Sequence, residues 1–172
     1  MTIANKITIA RIMLIPVFIV TYLQGFYLVA LSIFTFTILT DAVDGFVARK
    51  YKQISKLGSL LDPIADKALM LSSFLVAIHL DLVPLWIFVV VVSRDVIILV
   101  GWVITYFVSG NSEVKTRFLG KITTIVQMVT MWTIVARIPT NITNILLILT
   151  VFVTAVSGID YVIHGSKKLN NV

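Results

Sequence analysis

Long apolar stretches without charge constrain this chain more than any other feature. The first runs from Ile12 to Thr40, whereas a membrane-spanning helix needs only about 20 mostly apolar residues. This stretch is therefore too long for a single membrane-spanning helix, and we predict that it is broken at Gln24-Gly25. Hydrophobic residues make up 59% of the 172 residues and charged residues 13%, which is more apolar surface than one soluble core of this size would bury. We predict an all-α integral membrane protein.

Apolar segments separated by polar loops predict six transmembrane helices along the chain. Pro84 suits the first turn of the fourth helix. The cluster Ser109-Gly110-Asn111-Ser112 predicts the loop after that helix. No boundary is visible, so residues 1–172 are predicted to form a single membrane domain. The predicted helices cover about residues 5–23, 26–49, 58–80, 84–108, 117–136 and 142–164.

Lysine and arginine concentrate in alternate loops. The loops after the second and fourth helices and the C-terminal tail are basic, whereas the three opposite loops carry only Arg137. The positive-inside rule therefore places both termini in the cytoplasm, which requires an even number of spans. The net charge of +6 suits anionic lipid head groups. Because the basic residues are scattered and form no single face, no nucleic-acid partner is expected.

Four of the eight acidic residues fall within one short region, and together they are called the acidic cluster. Asp41 and Asp44 are three residues apart on the second predicted helix, and Asp62 and Asp66 are four apart on the third. Each pair therefore shares one helix face. A short connection folds these helices antiparallel, so both pairs are expected within roughly 12 Å of the cytoplasmic end and are able to face each other.

Converging carboxylates in a low-dielectric setting need a cation to compensate them. Oxygen ligands suit hard divalent cations such as Mg²⁺, Mn²⁺ or Ca²⁺. The alternatives are salt bridges to nearby lysines and arginines, or the ion pathway of a small membrane transporter, which would spread its acids along several helices. Gly45, Ala48 and Gly58 favour a ligand site, because small residues leave room beside the acids.

The acidic cluster belongs to a longer pattern. The run Asp41-Ala-Val-Asp44-Gly45-Phe-Val-Ala48-Arg49, followed by Gly58, Asp62 and Asp66, resembles the signature of the CDP-alcohol phosphotransferase family, D-x2-D-G-x2-A-R-x8-G-x3-D-x3-D. All eight specified positions match. Asn5-Lys-Ile-Thr8-Ile-Ala-Arg11 followed by Pro16 resembles the family's first helix. Gly120-Lys121-Ile-Thr123-Thr124 with Gln127 resembles the fifth helix of the branch that forms phosphatidylglycerol.

This resemblance implies a six-helix membrane enzyme, a homodimer with a cytoplasm-facing polar cavity, in a bacterial-type inner or cell membrane. Such an enzyme transfers the phosphatidyl group of CDP-diacylglycerol to an alcohol and releases CMP. Carried over by position, two divalent cations, Mg²⁺ or Mn²⁺, are held by the acidic cluster, and Asp66 is the general base. The expected nucleotide-binding residues are Asp44, Gly45, Ala48, Arg49 and Gly58.

The acceptor alcohol is expected to meet cations outside the acidic cluster, namely Lys121, Arg94, Lys115 and Arg117. The fifth-helix opening resembles phosphatidylglycerophosphate synthases, which use glycerol 3-phosphate. Ser93-Arg94-Asp95 resembles instead the cardiolipin synthases of this family, which use phosphatidylglycerol. We predict glycerol 3-phosphate, with phosphatidylglycerol as the alternative. The alternatives to a role in acceptor binding are that Arg94 pairs with Asp95 and that the loop cations contact anionic lipid.

Overall fold

A computed structural model describes the backbone over residues 3–51, 56–109 and 118–169, and side chains over residues 8–40, 65–101 and 118–164. Within these ranges the chain forms six α-helices, as predicted. The one clear difference lies at the last helix, which was predicted to end near residue 164 and extends five residues further. A helix is free to continue past a membrane boundary where its side chains become polar. The helices are α1 (Ile3–Leu23), α2 (Tyr27–Tyr51), α3 (Lys56–His79), α4 (Leu85–Ser109), α5 (Phe118–Val135) and α6 (Thr140–Leu169).

Two of the described helices are long and apolar enough to cross a membrane. They are Phe118–Val135 and the Thr140–His164 part of α6. The described parts of α1 and α2 contain shorter apolar stretches, Thr8–Leu23 and Tyr27–Thr40. Large apolar side chains remain exposed along these segments, as lipid-facing surfaces require. Six membrane crossings therefore remain a prediction.

The chain divides into two compact units. The first comprises Met1–Leu82 and Met131–Ile138, and within it α1 packs against both α2 and α3. Phe18 and Phe34 are fully buried, with ring centroids 5.5 Å apart, and Tyr22 lies 6.0 Å from Phe18. An aromatic core thus joins α1 to α2, one of the two helices that carry the acidic cluster.

Three helix ends in the first unit form the same turn. Gly25, Asp81 and Arg137 each adopt a positive φ, of 84°, 55° and 55°. In each turn the amide of this residue donates to a carbonyl three residues earlier, and the next amide donates to a carbonyl five residues earlier. This is the Schellman arrangement, which satisfies the last carbonyls of a helix. The Arg137 guanidinium also lies 3.9 Å above the Tyr27 ring, so the α1–α2 turn contacts the end of α5.

The second unit comprises Val83–Thr130 and Pro139–Val172. Within it α4 packs against α6, and polar side chains join α5 to α6. Gln127 donates to the Thr154 hydroxyl at 3.2 Å, and the Thr130 and Thr150 hydroxyls are 2.8 Å apart. These four buried residues are called the polar seam. Hydrogen bonds of this kind stabilise contacts between helices where lipid removes the hydrophobic driving force.

Candidate functional site

The acidic cluster is distributed over two helices of the first unit. At roughly 1.5 Å per residue, Asp44 lies about 10 Å from the end of α2 at Tyr51, and Asp62 about 9 Å from the start of α3 at Lys56. The helical assignment preserves the three- and four-residue spacings, so each pair occupies one helix face. The side chains of Asp41, Asp44 and Asp62 lie outside the described side chains.

Asp66 is the member of the acidic cluster whose side chain is described. It is half-buried on α3, between the buried Ala65 and Leu69, and it has an interaction partner. Among the described side chains, no three acidic or histidine residues converge on a metal position. Because three of the four predicted ligands lie outside that set, the metal site stays a prediction.

The remaining residues predicted to bind the nucleotide or the acceptor differ in how far they are described. Gly45, Ala48, Arg49 and Gly58 lie within α2 or α3, but outside the described side chains. Lys115 and Arg117 lie outside the described residues altogether. The roles of these six positions therefore stay predictions.

Arg11 is a buried cation to which the sequence analysis assigned no role. Only 2% exposed, it lies on α1, the helix that packs against both acid-bearing helices. It is about 12 Å from the start of α1. Burying a guanidinium requires compensation by a partner, and Arg11 has one. The sequence signal that indicates a functional role for Arg11 is its charge within an otherwise apolar helix.

Arg94 is the buried cation of the second unit. It lies on α4 and is 8% exposed. Its Nη1 donates to Oδ1 of Asp95 at 2.9 Å, so the anticipated ion pair is present. Its Nη2 donates to Oγ of Ser157 on α6 at 3.0 Å. Within the described part of the chain, the buried Nε has no hydrogen-bond partner. A buried donor without an acceptor is costly, so Nε–H marks a position where an oxyanion would be stabilised.

Two glycines leave space for the Arg94 side chain. A Cβ atom at Gly120 would lie 3.0 Å from Nη2, and one at Gly158 would lie 3.6 Å from Cγ of Arg94. Gly120 is on α5 and Gly158 on α6, so α4, α5 and α6 all contribute to this site. Lys121, the other described acceptor candidate, follows Gly120 and is exposed. The geometry thus assembles a buried guanidinium with an unused donor.

Comparison with known proteins identifies the family. A family model described as CDP-alcohol phosphatidyltransferase matches residues 1–156. The chain belongs to this family. It is similar to a CDP-diacylglycerol--glycerol-3-phosphate 3-phosphatidyltransferase of Bacillus subtilis, with 32% identity over 179 residues that cover 91% of each chain. The resemblance inferred from the acidic cluster and its spacing is therefore confirmed, and so is membership of a membrane-protein family.

Relatives named as cardiolipin synthases also match. A probable cardiolipin synthase (CMP-forming) of Drosophila melanogaster is 40% identical over 120 residues, which cover 69% of this chain and 37% of that protein. A cardiolipin synthase (CMP-forming) of Rattus norvegicus is 32% identical over 189 residues, covering 98% of this chain and 63% of that protein. This chain thus spans less than two thirds of the length of both synthases. The Bacillus subtilis transferase and the rat synthase are equally similar to this chain, each with 32% identity.

Proposed function

We propose that this protein transfers the phosphatidyl group of CDP-diacylglycerol to glycerol 3-phosphate, producing phosphatidylglycerophosphate and CMP. The observation that carries the transfer reaction is the complete eight-position family motif, which falls on α2 and α3. The choice of glycerol 3-phosphate follows the fifth-helix opening at Gly120 and Lys121. The family match over residues 1–156 supports the transfer reaction. It leaves the alternative of an ion transporter without support.

Asp66 is the proposed general base. An alcohol is a weak nucleophile near neutral pH, so a positioned carboxylate must accept its proton as the oxygen attacks phosphorus. The new O–P bond forms while the bond from phosphorus to the CMP oxygen breaks, and CMP leaves with the electron pair. Half-buried on α3, Asp66 lies one turn deeper than Asp62. It is thus the member of this pair further from the aqueous end of the helix.

The donor set fits two divalent cations, Mg²⁺ or Mn²⁺. Four carboxylates supply hard oxygen ligands, and the helical spacings keep each aspartate pair on one face. Asp41, Asp44, Asp62 and Asp66 would hold the ions, which when bound supply charge neutralisation on the phosphates and the departing CMP.

The nucleotide is proposed to lie against the same helices. Small residues at positions Gly45, Ala48 and Gly58 allow the flat cytosine base to approach the helix backbone closely. Asp44 contributes to this site as well as to the metal site, and Arg49 contacts a nucleotide phosphate. These roles follow the family motif position by position.

Arg94 is the proposed contact for the acceptor phosphate, supported by its burial and its unused Nε–H. Guanidinium groups bind phosphate oxygens through two parallel N–H bonds. Lys121, Lys115 and Arg117 are proposed to add positive charge for a dianionic acceptor. The alternative acceptor is phosphatidylglycerol, which has one phosphate charge and arrives from the bilayer. Ser93-Arg94-Asp95 and the identity to the fly relative favour it.

The proposal extends to location and assembly. A homodimer with six membrane crossings, both termini in the cytoplasm and a polar cavity open to that side is consistent with the basic loops and with the charge of glycerol 3-phosphate. In this arrangement the acceptor reaches the cavity from the cytoplasm, whereas CDP-diacylglycerol enters from the membrane.

The acceptor is tested by a paired assay. Purified protein receives CDP-diacylglycerol with either glycerol 3-phosphate or phosphatidylglycerol, and the lipid product is identified together with released CMP. We expect phosphatidylglycerophosphate from the first mixture and no product from the second. Cardiolipin from the second mixture, with no product from the first, would show that phosphatidylglycerol is the acceptor.

A further inference from the structure

We propose that Ser157 is a positioning residue for acceptor binding, which holds the Arg94 guanidinium in the orientation that binds the acceptor phosphate. The inference rests on the proposed function, because it assigns to Arg94 the contact with that phosphate. Ser157 is not part of the family motif, and it lies 63 residues from Arg94 in the sequence.

Two hydrogen bonds fix the guanidinium plane. Nη1 donates to Asp95, the next residue of α4, and Nη2 donates to Ser157 on α6. A single contact would leave the planar group free to rotate about its remaining bonds, whereas contacts at both terminal nitrogens define its plane. The buried Nε–H of Arg94 has no acceptor in the described part of the chain. Ser157 therefore determines where this donor lies.

Ser157 is itself held by the packing of α6. It is 4% exposed and follows Thr154 by three residues, so it continues the α6 face of the polar seam. Gln127–Thr154 and Thr130–Thr150 hydrogen bonds fix the register of α5 against α6. With that register set, Ser157 contacts Arg94 while Gly120 leaves room for Nη2. The polar seam thus supports the serine that orients the arginine.

Loss of the Ser157 hydroxyl would release one side of the guanidinium. Nη2 would lose a buried acceptor, and Arg94 would be free to turn towards Asp95. Orientation matters to a phosphate because its oxygens accept two parallel N–H bonds only when the fork is aligned. The cost should therefore fall on acceptor binding, with little effect on CDP-diacylglycerol.

The experiment measures kcat and both KM values with the acceptor that yields product in the paired assay. Ser157→Ala should raise the KM for the acceptor roughly tenfold, since one hydrogen bond to a charged group is lost, and change the KM for CDP-diacylglycerol less than about twofold. Ser157→Thr retains the hydroxyl and should restore most of the acceptor affinity. The matched control is Ser32→Ala, because Ser32 is exposed on α2 and its hydroxyl donates to the Leu28 carbonyl of its own helix at 2.8 Å. This control should match the unaltered protein.

Arg94→Lys separates failure of this inference from failure of the proposed function. Lysine lacks the second terminal nitrogen, so Ser157→Ala should add no further rise in acceptor KM in that background. If Arg94→Lys alone leaves the acceptor KM unchanged, Arg94 does not bind the acceptor. If Arg94→Lys raises it but Ser157→Ala matches Ser32→Ala, the positioning role is overturned while the acceptor role stands. Equal loss for both substrates in Ser157→Ala, or an additive loss in the double variant, would also overturn positioning by revealing a general structural defect.

Discussion

The two units contain opposite kinds of core. Fully buried aromatic side chains, including Phe18, Phe34 and Phe74, fill the first unit. The second unit buries mainly hydroxyl and amide groups, including Gln127, Thr130 and Thr150, while large apolar side chains on α6 face outwards. Apolar packing tolerates small sliding movements, whereas hydrogen bonds are directional and specify one register.

This difference corresponds to the roles proposed for the two units. The first unit carries the acidic cluster on α2 and α3, and α1 packs against both of these helices. The second unit carries Arg94, whose guanidinium plane is set by hydrogen bonds to Asp95 and, across to α6, to Ser157. Damage to the first unit should therefore appear mainly in kcat, and damage to the second mainly in the acceptor KM. Four predictions test the comparison, the first two through catalysis by the first unit and the last two through stability, from the largest expected effect to the smallest.

Removal of divalent cations should have the largest effect. Because the acidic cluster is proposed to hold the ions that neutralise phosphate charge, excess chelator should abolish CMP release, and added Mg²⁺ or Mn²⁺ should restore it. The assay follows CMP with the acceptor held constant. Full activity in excess chelator would contradict the proposed metal role of the first unit.

Asp66→Asn should lower kcat by roughly 10² or more, since it removes the base while nearly preserving shape. CDP-diacylglycerol binding, measured directly with the purified variant, should be largely retained. The matched control is Asp81→Asn, which makes the same chemical change at an exposed position in the turn after α3 and should leave kcat unchanged. Normal turnover by Asp66→Asn would remove Asp66 from the role of base.

The helices were predictable from the sequence because apolar runs and polar breaks are local signals. The turn at Gly25 and the start of α4 after Pro84 lie within a few residues of their predicted positions. The end of α6 was not predictable in this way, because the membrane limits the apolar segment and does not limit the helix. The family motif was also local, since its eight positions have fixed spacings.

The arrangement around the two buried arginines was not predictable. Arg94 and Asp95 are adjacent, so their pairing was foreseen, but no local pattern pairs Arg94 with Ser157 on α6. The part played by Gly120 depends on the approach of α4 and α5. Arg11 belongs to the segment that resembles the family's first helix, yet its burial follows from tertiary contacts of α1 with two other helices.

The two cores should also differ in how much a single substitution lowers the free energy of unfolding. Phe18→Ala leaves a cavity at a fully buried aromatic position and should lower the free energy of unfolding by roughly 3 kcal/mol. Gln127→Leu removes the donor to the Thr154 hydroxyl and should cost only about 0.6 kcal/mol, because that hydroxyl is still able to donate to a carbonyl of its own helix. Thermal unfolding in detergent compares the two. The reverse order would show that the polar seam, and not the aromatic core, dominates stability.

The smallest effect is expected at the helix ends of the first unit, where Gly25, Asp81 and Arg137 occupy equivalent turns. Side chains at positive φ carry a steric cost, and a carboxylate at a helix C-terminus opposes the helix dipole. Asp81→Gly relieves both, and after the entropy cost of glycine in the unfolded chain it should stabilise the protein by about 1 kcal/mol.

Arg137→Gly relieves the same backbone cost but loses the guanidinium contact with Tyr27, which is worth roughly 0.5–1 kcal/mol. Its net effect on unfolding should therefore be close to zero. Asp81→Asn keeps the side chain and removes only the charge, so it separates the dipole effect from the backbone effect. If Arg137→Gly stabilises the protein as much as Asp81→Gly does, the contact with Tyr27 contributes nothing and only backbone strain distinguishes these turns.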